Sequence, residues 1–297
     1  MSGHRTAPLA PGTHTIEIDG ITLRYHVHGE GPVCVAHSGG PGIDWRYLRM
    51  PALEEHLTVV YPEPVGTGDS GRLPAHPRGY TRARYSRFLA GLIEHLGQER
   101  VFLLGHSHGG FVAQYHALRH PERIAGVILY ESVPRTGDEH GAETARLAGE
   151  FAARNAGRPE VAEVMAGFAA VPDAVDDPAF TEVLRALVPV YFADYWGREA
   201  EFAPFRDAVS GWFVSAVDED GVPEVIDDTA ALGGLTVPVL VVVGRYDFIC
   251  GVRWADELHR LIPGAELAVL EHSGHFGHLE EPKEFVRAVT GFVSAVG

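Results

Sequence analysis

The stretch Leu103-Leu104-Gly105-His106-Ser107-His108-Gly109-Gly110 leaves this chain few architectures to choose from. An apolar run, Val101 to Leu104, halts at a glycine, and a helical pattern begins immediately after Ser107. Gly105-x-Ser107-x-Gly109 reads as a nucleophile elbow, with the serine on a sharp strand-to-helix turn in strained backbone geometry. Side chains at the two flanking positions would press into the opposite arm of the turn, so both are glycine. A helix starting beneath Ser107 would aim its first N–H groups at negative charge developing above the serine. The same residues also suit an ordinary glycine turn; the strand before and the helix after favour the elbow.

Around this turn the chain alternates. His14 to Asp19 and Ile21 to His28 show period-two patterning and meet at Asp19-Gly20, a two-residue hairpin signal. Val33 to Ala36, Leu57 to Tyr61, Val101 to Leu104, Val127 to Tyr130, Val239 to Val243 and Leu267 to Leu270 are continuous apolar runs. Strands buried on both faces of a parallel sheet have that composition. Helical periods lie between them. From Thr81, apolar residues recur at Tyr85, Phe88, Leu89, Leu92, Ile93 and Leu96 before Gly97 closes the run. The last segment follows Pro282 with Phe285, Val286, Val289, Phe292, Val293 and Val296 on one face. This pattern predicts an α/β fold with a mostly parallel eight-stranded sheet, antiparallel at one edge and flanked by helices. Pro134 to Gly234 breaks the alternation: its helix-like stretches are rich in Ala, Glu and aromatics, and no convincing strand interrupts them. It predicts a helical cap over 134–234, inserted into a core made of 1–133 and 235–297.

The insert also carries the charge. It holds 20 acidic residues against 7 arginines, a net −13 of the chain's −16. Such a surface can simply be solvated, or it can form a mouth that attracts a cationic group such as a substrate ammonium. Nucleic acid is not an expected partner, because Lys283 is the sole lysine and no basic cluster is present. Cys34 and Cys250 lie far apart without a C-x-x-C, which argues against a disulfide scaffold or a zinc site. Met1 to Gly12 has no apolar core of a leader, and Val237 to Val243 is too short to span a bilayer. The expectation is a soluble, cytoplasmic protein without a membrane partner.

A serine hydroxyl is a weak nucleophile and needs a base, which in turn needs an orienting carboxylate. With an elbow of this kind the chain order is nucleophile, acid, histidine. Val239 to Val243 is followed by Gly244-Arg245-Tyr246-Asp247, so Asp247 is the candidate acid. Leu267 to Leu270 leads into Glu271-His272-Ser273-Gly274-His275-Phe276-Gly277-His278, where three histidines compete. His275, after Gly274 at the loop tip, is the candidate base; His272 and His278 read as structural or surface residues. Glu131, directly after the sixth strand, is the runner-up acid or a residue beneath the cap. The oxyanion needs two backbone donors. One is the N–H of His108; the other comes from Ser38-Gly39-Gly40-Pro41-Gly42, with Gly40 favoured over Gly39. Two further motifs mislead. Gly66-x-Gly68-x-x-Gly71 runs towards Pro74 and Pro77 instead of opening a helix, and His26-Val27-His28 lacks a nearby carboxylate ligand. No organic cofactor or metal is implied.

These motifs resemble the α/β-hydrolase superfamily and, within it, the proline iminopeptidase branch of serine peptidases. Gly39-Gly40-Pro41-Gly42, Gly66-Thr67-Gly68-Asp69-Ser70, the elbow, Gly244-Arg245-Tyr246-Asp247 and Gly274-His275-Phe276 carry the likeness over nearly the whole chain. The resemblance implies removal of an N-terminal residue from a small aminoacyl or peptidyl substrate, with cap carboxylates holding the free amine. The departures are specific. Ser38 stands where the branch has histidine, Glu63-Pro64-Val65 lacks its arginine, and His106 and His108 replace its Gly and Trp. Tyr191-Phe192-Ala193-Asp194-Tyr195-Trp196 is a loose echo of its cap signature. Glu131, Asp194, Tyr195, Trp196 and Trp212 are the candidate substrate contacts. The rival expectation is an esterase or lactonase acting on a small secondary-metabolite ester. A third is a non-hydrolytic isomerase or ligand-binding use of the fold.

Overall fold

Asp19 and Gly20 both adopt positive φ, 53° and 77°, as a tight two-residue hairpin requires. They join β1 (Gly12–Ile18) to β2 (Ile21–His28) in the computed structural model, which describes residues 7–297. The remaining strands are β3 (Val33–His37), β4 (Thr58–Pro62), β5 (Val101–His106), β6 (Ile124–Tyr130), β7 (Val239–Gly244) and β8 (Glu266–Leu270). They form one 8-stranded sheet in the order β1-β2-β4-β3-β5-β6-β7-β8. Only β2 runs against its neighbours; every pair from β4 to β8 is parallel. Both faces of the central strands are buried. Along β5, Val101 and Leu103 join one apolar cluster and Phe102 and Leu104 join the other. That two-sided burial is why these strands read as unbroken apolar runs.

The helices are α1 (Pro51–Glu54), α2 (Arg82–Leu96), α3 (His108–Ala117), α4 (Asp138–Arg154), α5 (Glu160–Ala170), α6 (Asp177–Leu187), α7 (Glu199–Ala208), α8 (Val252–Leu261), α9 (Gly277–Glu280) and α10 (Pro282–Val296). α2 starts where the Thr81 hydroxyl accepts the Arg84 N–H and ends at Gly97 with φ 69°. No helix among the described residues is long and apolar enough to cross a membrane.

Between β6 and β7 the structure divides the expected insert in two. Residues up to Ala208 hold α4 to α7, whereas 209–234 form a strap without α-helix that lies back on the sheet core. Trp212 N–H donates to the Gly42 carbonyl at 2.7 Å, and Ser215 N–H to Pro77 at 2.8 Å. The Arg82 guanidinium is buried between Glu224 (3.1 Å) and Asp228 (2.6 Å). The helical reading of 134–234 therefore fails in its last quarter, where Gly and Asp recur around Pro223 and the strap hydrogen-bonds to the core. Because β3, β5, β7 and β8 are parallel, the loops after their C-terminal ends meet on one edge, beneath the capping helices.

Candidate active site

Ser107 sits at φ 54°, ψ −120°, a backbone region that a side chain rarely tolerates. The surroundings enforce it. Ser107 N–H donates to Tyr130 O at 2.9 Å, and its carbonyl accepts from Gly110 N (2.8 Å) and Ser132 Oγ (3.0 Å). A Cβ on Gly105 would stand 2.2 Å from Gly109 O, and one on Gly109 would stand 2.3 Å from His37 O. Gly105 is thus required by the crossing of the elbow's own two arms, and Gly109 by the close approach of the end of β3.

Asp247 and His275 are brought together from the loops after β7 and β8. Asp247 Oδ2 accepts from His275 Nδ1 at 2.8 Å, while Oδ1 accepts the N–H groups of Ile249 (2.8 Å) and Cys250 (3.1 Å). Burial alone would raise this carboxyl. The facing His275, with hydrogen bonds from His275 and Cys250, outweighs burial and holds it well below the usual carboxylate range. An ionised Asp247 requires the proton on His275 Nδ1, which leaves Nε2 bare. His275 N–H is anchored on the Tyr191 carbonyl at 2.6 Å. Asp247, Cys250 and His275 also place possible metal-ligand atoms within 4.8 Å of one another. Two of these groups are engaged with each other, and burial pushes the Cys250 thiol well above its ordinary range, so it keeps its proton.

Ser107 and His275 line one cavity of about 90 Å³, together with Gly39, Gly40 and Tyr47. Its walls are Leu184 and Val188 from the end of α6, Phe205 and Val209 from the end of α7, and Ile249 and Phe276. None of the described residues lining it is Lys, Arg, Asp or Glu. His108 opens α3, where its N–H has no acceptor in its own helix. Gly39 N–H, the second-choice oxyanion donor of the sequence reading, already donates to the Tyr47 hydroxyl at 2.5 Å.

The expected substrate contacts lie elsewhere. Glu131 is fully buried behind Asp247, at φ 47°, with Oε1 accepting the Gly244 N–H at 2.8 Å. Burial and then the Asp247 charge raise its carboxyl well above the ordinary range. Asp194 is exposed and caps its own turn through the Gly197 N–H at 2.9 Å. Tyr195 is packed on Phe192 and Phe202, Trp196 stacks on Phe151 at 5.6 Å, and Trp212 pairs with the Gly42 backbone. Acidic residues of the insert form ion pairs away from the cavity, such as Glu143–Arg146, Glu201–Arg198 and Asp177–Arg72, and Asp228 is buried against Arg82. None of them lines the cavity, so the expected acidic mouth for a cationic group is absent from its described lining. His278 is structural as read: it bonds Tyr130 Oη and the Tyr47 carbonyl, both at 3.0 Å. Sequence reasoning missed Tyr47 and the apolar walls, whose only signal was hydrophobicity.

An eight-stranded sheet with this elbow, acid and histidine defines a class, and the sequence comparison agrees with it. The chain belongs to the α/β-hydrolase family, whose sequence profile, described as "Alpha/beta hydrolase family", matches residues 26–288. It is 27% identical over 281 residues to 2-hydroxy-6-oxo-2,4-heptadienoate hydrolase of Pseudomonas putida, covering 93% of this chain and 94% of that protein. It is 29% identical to 2-hydroxymuconate semialdehyde hydrolase of a Pseudomonas species, covering 93% and 91%. The enol-lactonase from Burkholderia xenovorans shares the fold, with a TM-score of 0.68 at 24% identity over 95% of this chain and 100% of that one. Family and relatives support hydrolase activity on small compounds. These relatives are not iminopeptidases, and the likeness to that branch is not shown.

Proposed function

We propose that the chain is a serine hydrolase cleaving esters or lactones of small, neutral, largely apolar acids through an acyl-enzyme on Ser107. His275 Nε2 takes the Ser107 proton as Oγ attacks the carbonyl carbon. The Gly40 and His108 amides hold the oxyanion, and Asp247 offsets the charge of the imidazolium. The C–O bond breaks as His275 returns the proton to the leaving alcohol. Water, deprotonated by His275, then attacks the acyl carbon, releasing the acid and restoring Ser107.

The cavity lining carries this reading. At about 10–15 Å³ per water-sized sphere, its volume of about 90 Å³ suits a short acyl chain. A free ammonium would need a buried carboxylate partner, and the lining offers none. This weighs against the aminopeptidase expectation. The Pseudomonas putida relative is by name a hydrolase of a dienoate, a carboxylate; here no Arg or Lys faces the cavity to receive one. Neutral esters are therefore favoured over both.

The test is turnover of matched substrates: aryl acetate, butyrate and octanoate, a free aminoacyl arylamide with its N-acetyl form, and a dienoate. Short-chain esters turned over at least 100-fold better than the rest are the expected result. Preference for the free amine, lost on acetylation, would restore the aminopeptidase reading and sink this one.

A further inference from the structure

We infer that His106, the residue inside the elbow between Gly105 and Ser107, is a positioning residue that locks the oxyanion loop to the backbone of His275. The inference rests on the proposed roles of Ser107, His275 and Gly40. His106 ends β5 and is 1% exposed. Its Nδ1 lies 2.7 Å from Tyr47 Oη and its Nε2 lies 2.9 Å from the His275 carbonyl oxygen. Tyr47 Oη in turn accepts the Gly39 N–H at 2.5 Å. With a neutral imidazole, one placement of hydrogens satisfies all three contacts. The carbonyl can only accept, so Nε2 carries the hydrogen; the bare Nδ1 accepts from Tyr47 O–H; the hydroxyl oxygen accepts from Gly39. Donation runs in one direction, from Gly39 through Tyr47 and His106 to His275.

The surroundings keep every link in that form. Burial, and then the neighbouring His275, hold the His106 imidazole well below its ordinary range, so it stays neutral and does not compete for the Ser107 proton. Burial also raises the Tyr47 hydroxyl, which keeps its proton. The His106 and His275 rings meet edge-on, with centroids 4.6 Å apart. At the other end the loop sits directly on the nucleophile: a Cβ on Gly39 would come within 2.9 Å of both Ser107 Cβ and Tyr47 Oη.

The reacting carbonyl must lie between the loop amides and His275 Nε2, so the relative placement of these two backbones sets the rate. A misplacement of about 1 Å there costs roughly 100-fold. A purely structural pair would lower the melting temperature and leave kcat per active site near the parent value. A strut gives them one shared effect on kcat.

The experiment compares Tyr47→Phe, His106→Leu, their double variant and His106→Gln on a short-chain aryl ester. Active sites are counted by fluorophosphonate titration, and melting temperatures are recorded. Each single variant should lower kcat roughly 10- to 100-fold with KM within about three-fold, and the double variant should be no worse than the poorer single. His106→Gln, which retains an N–H near the His275 carbonyl, should recover most of the loss. Should His106→Leu not fold, Tyr47→Phe, which removes a single oxygen, and His106→Gln still decide the matter. A kcat per titrated site within about two-fold of the parent in Tyr47→Phe, or losses that multiply in the double variant, would overturn the strut. Ser107→Ala in the same assay separates the two levels. Turnover surviving that change refutes the serine reading itself, whereas its loss alongside normal Tyr47→Phe rates refutes the strut alone.

Discussion

Glu131 stands directly behind Asp247, where burial and then the Asp247 charge favour its neutral form. Oε1 accepts the Gly244 N–H, while Oε2 is buried without a hydrogen-bond partner. Glu131→Gln offers an N–H and a carbonyl in the same places and should keep kcat within about three-fold. Glu131→Leu strands the Gly244 N–H and should cost about 1–3 kcal/mol in thermal or denaturant unfolding. Asp247→Asn forces the wrong tautomer on His275 and should lower kcat roughly 10³- to 10⁴-fold. An inactive Glu131→Gln with an active Asp247→Asn would reverse the two roles.

Strain at Ser107 gives a second expectation. Its φ of 54° with ψ −120° is a conformation natural to glycine. Ser107→Gly should therefore abolish turnover and yet raise stability by about 1–3 kcal/mol, a few degrees in Tm. A variant that melts below the parent would show that the turn is not strained.

The acyl cavity should be narrowed by Leu184→Trp, since Leu184 forms its wall from the end of α6. One methylene in such a pocket is worth about 1–3 kcal/mol. The variant should lose at least ten-fold in kcat/KM for an aryl butyrate relative to the acetate, while fluorophosphonate still labels it. An unchanged butyrate-to-acetate ratio would place the acyl chain elsewhere.

Glu280 adds a pH dependence to stability. Its Oε2 accepts the Gly274 N–H at 2.6 Å, next to His275, and its Oε1 accepts the Ala193 N–H at 2.8 Å. Burial pushes its carboxyl up to about 7, against 4.5 for the ordinary group. Between these values the folded protein holds a proton that the unfolded chain has lost. The contribution is full below pH 4.5 and disappears as pH rises through about 7, at most about 3 kcal/mol. The Tm advantage of the parent over Glu280→Gln should thus be larger at pH 5 than at pH 8. A gap constant across that range would contradict the assignment.

Local chemistry was the legible part of this chain. The Asp19-Gly20 hairpin, the runs of the parallel sheet and the elbow glycines each follow from steric demands confined to a few residues. Asp247 and His275 were legible because chain order after late strands restricts the choice. The cavity walls were not, since Leu184, Val188, Phe205 and Val209 reach Ser107 only after the insert folds over it, and nothing in an apolar residue announces which side it faces. Glu131 misled for a related reason: a carboxyl buried behind another looks in sequence like one beneath the cap. The glycine loops that carried the iminopeptidase likeness position a nucleophile for any acyl transfer, so they report the class and not the substrate.

Covalent labelling tests the central claim most directly. The protein is treated with a fluorophosphonate, digested and mapped by mass spectrometry while hydrolysis of an aryl butyrate is followed. One adduct on Ser107, formed in step with loss of activity and absent from Ser107→Ala, is the predicted result. Hydrolysis that persists in Ser107→Ala, or in fully labelled protein, would contradict the account.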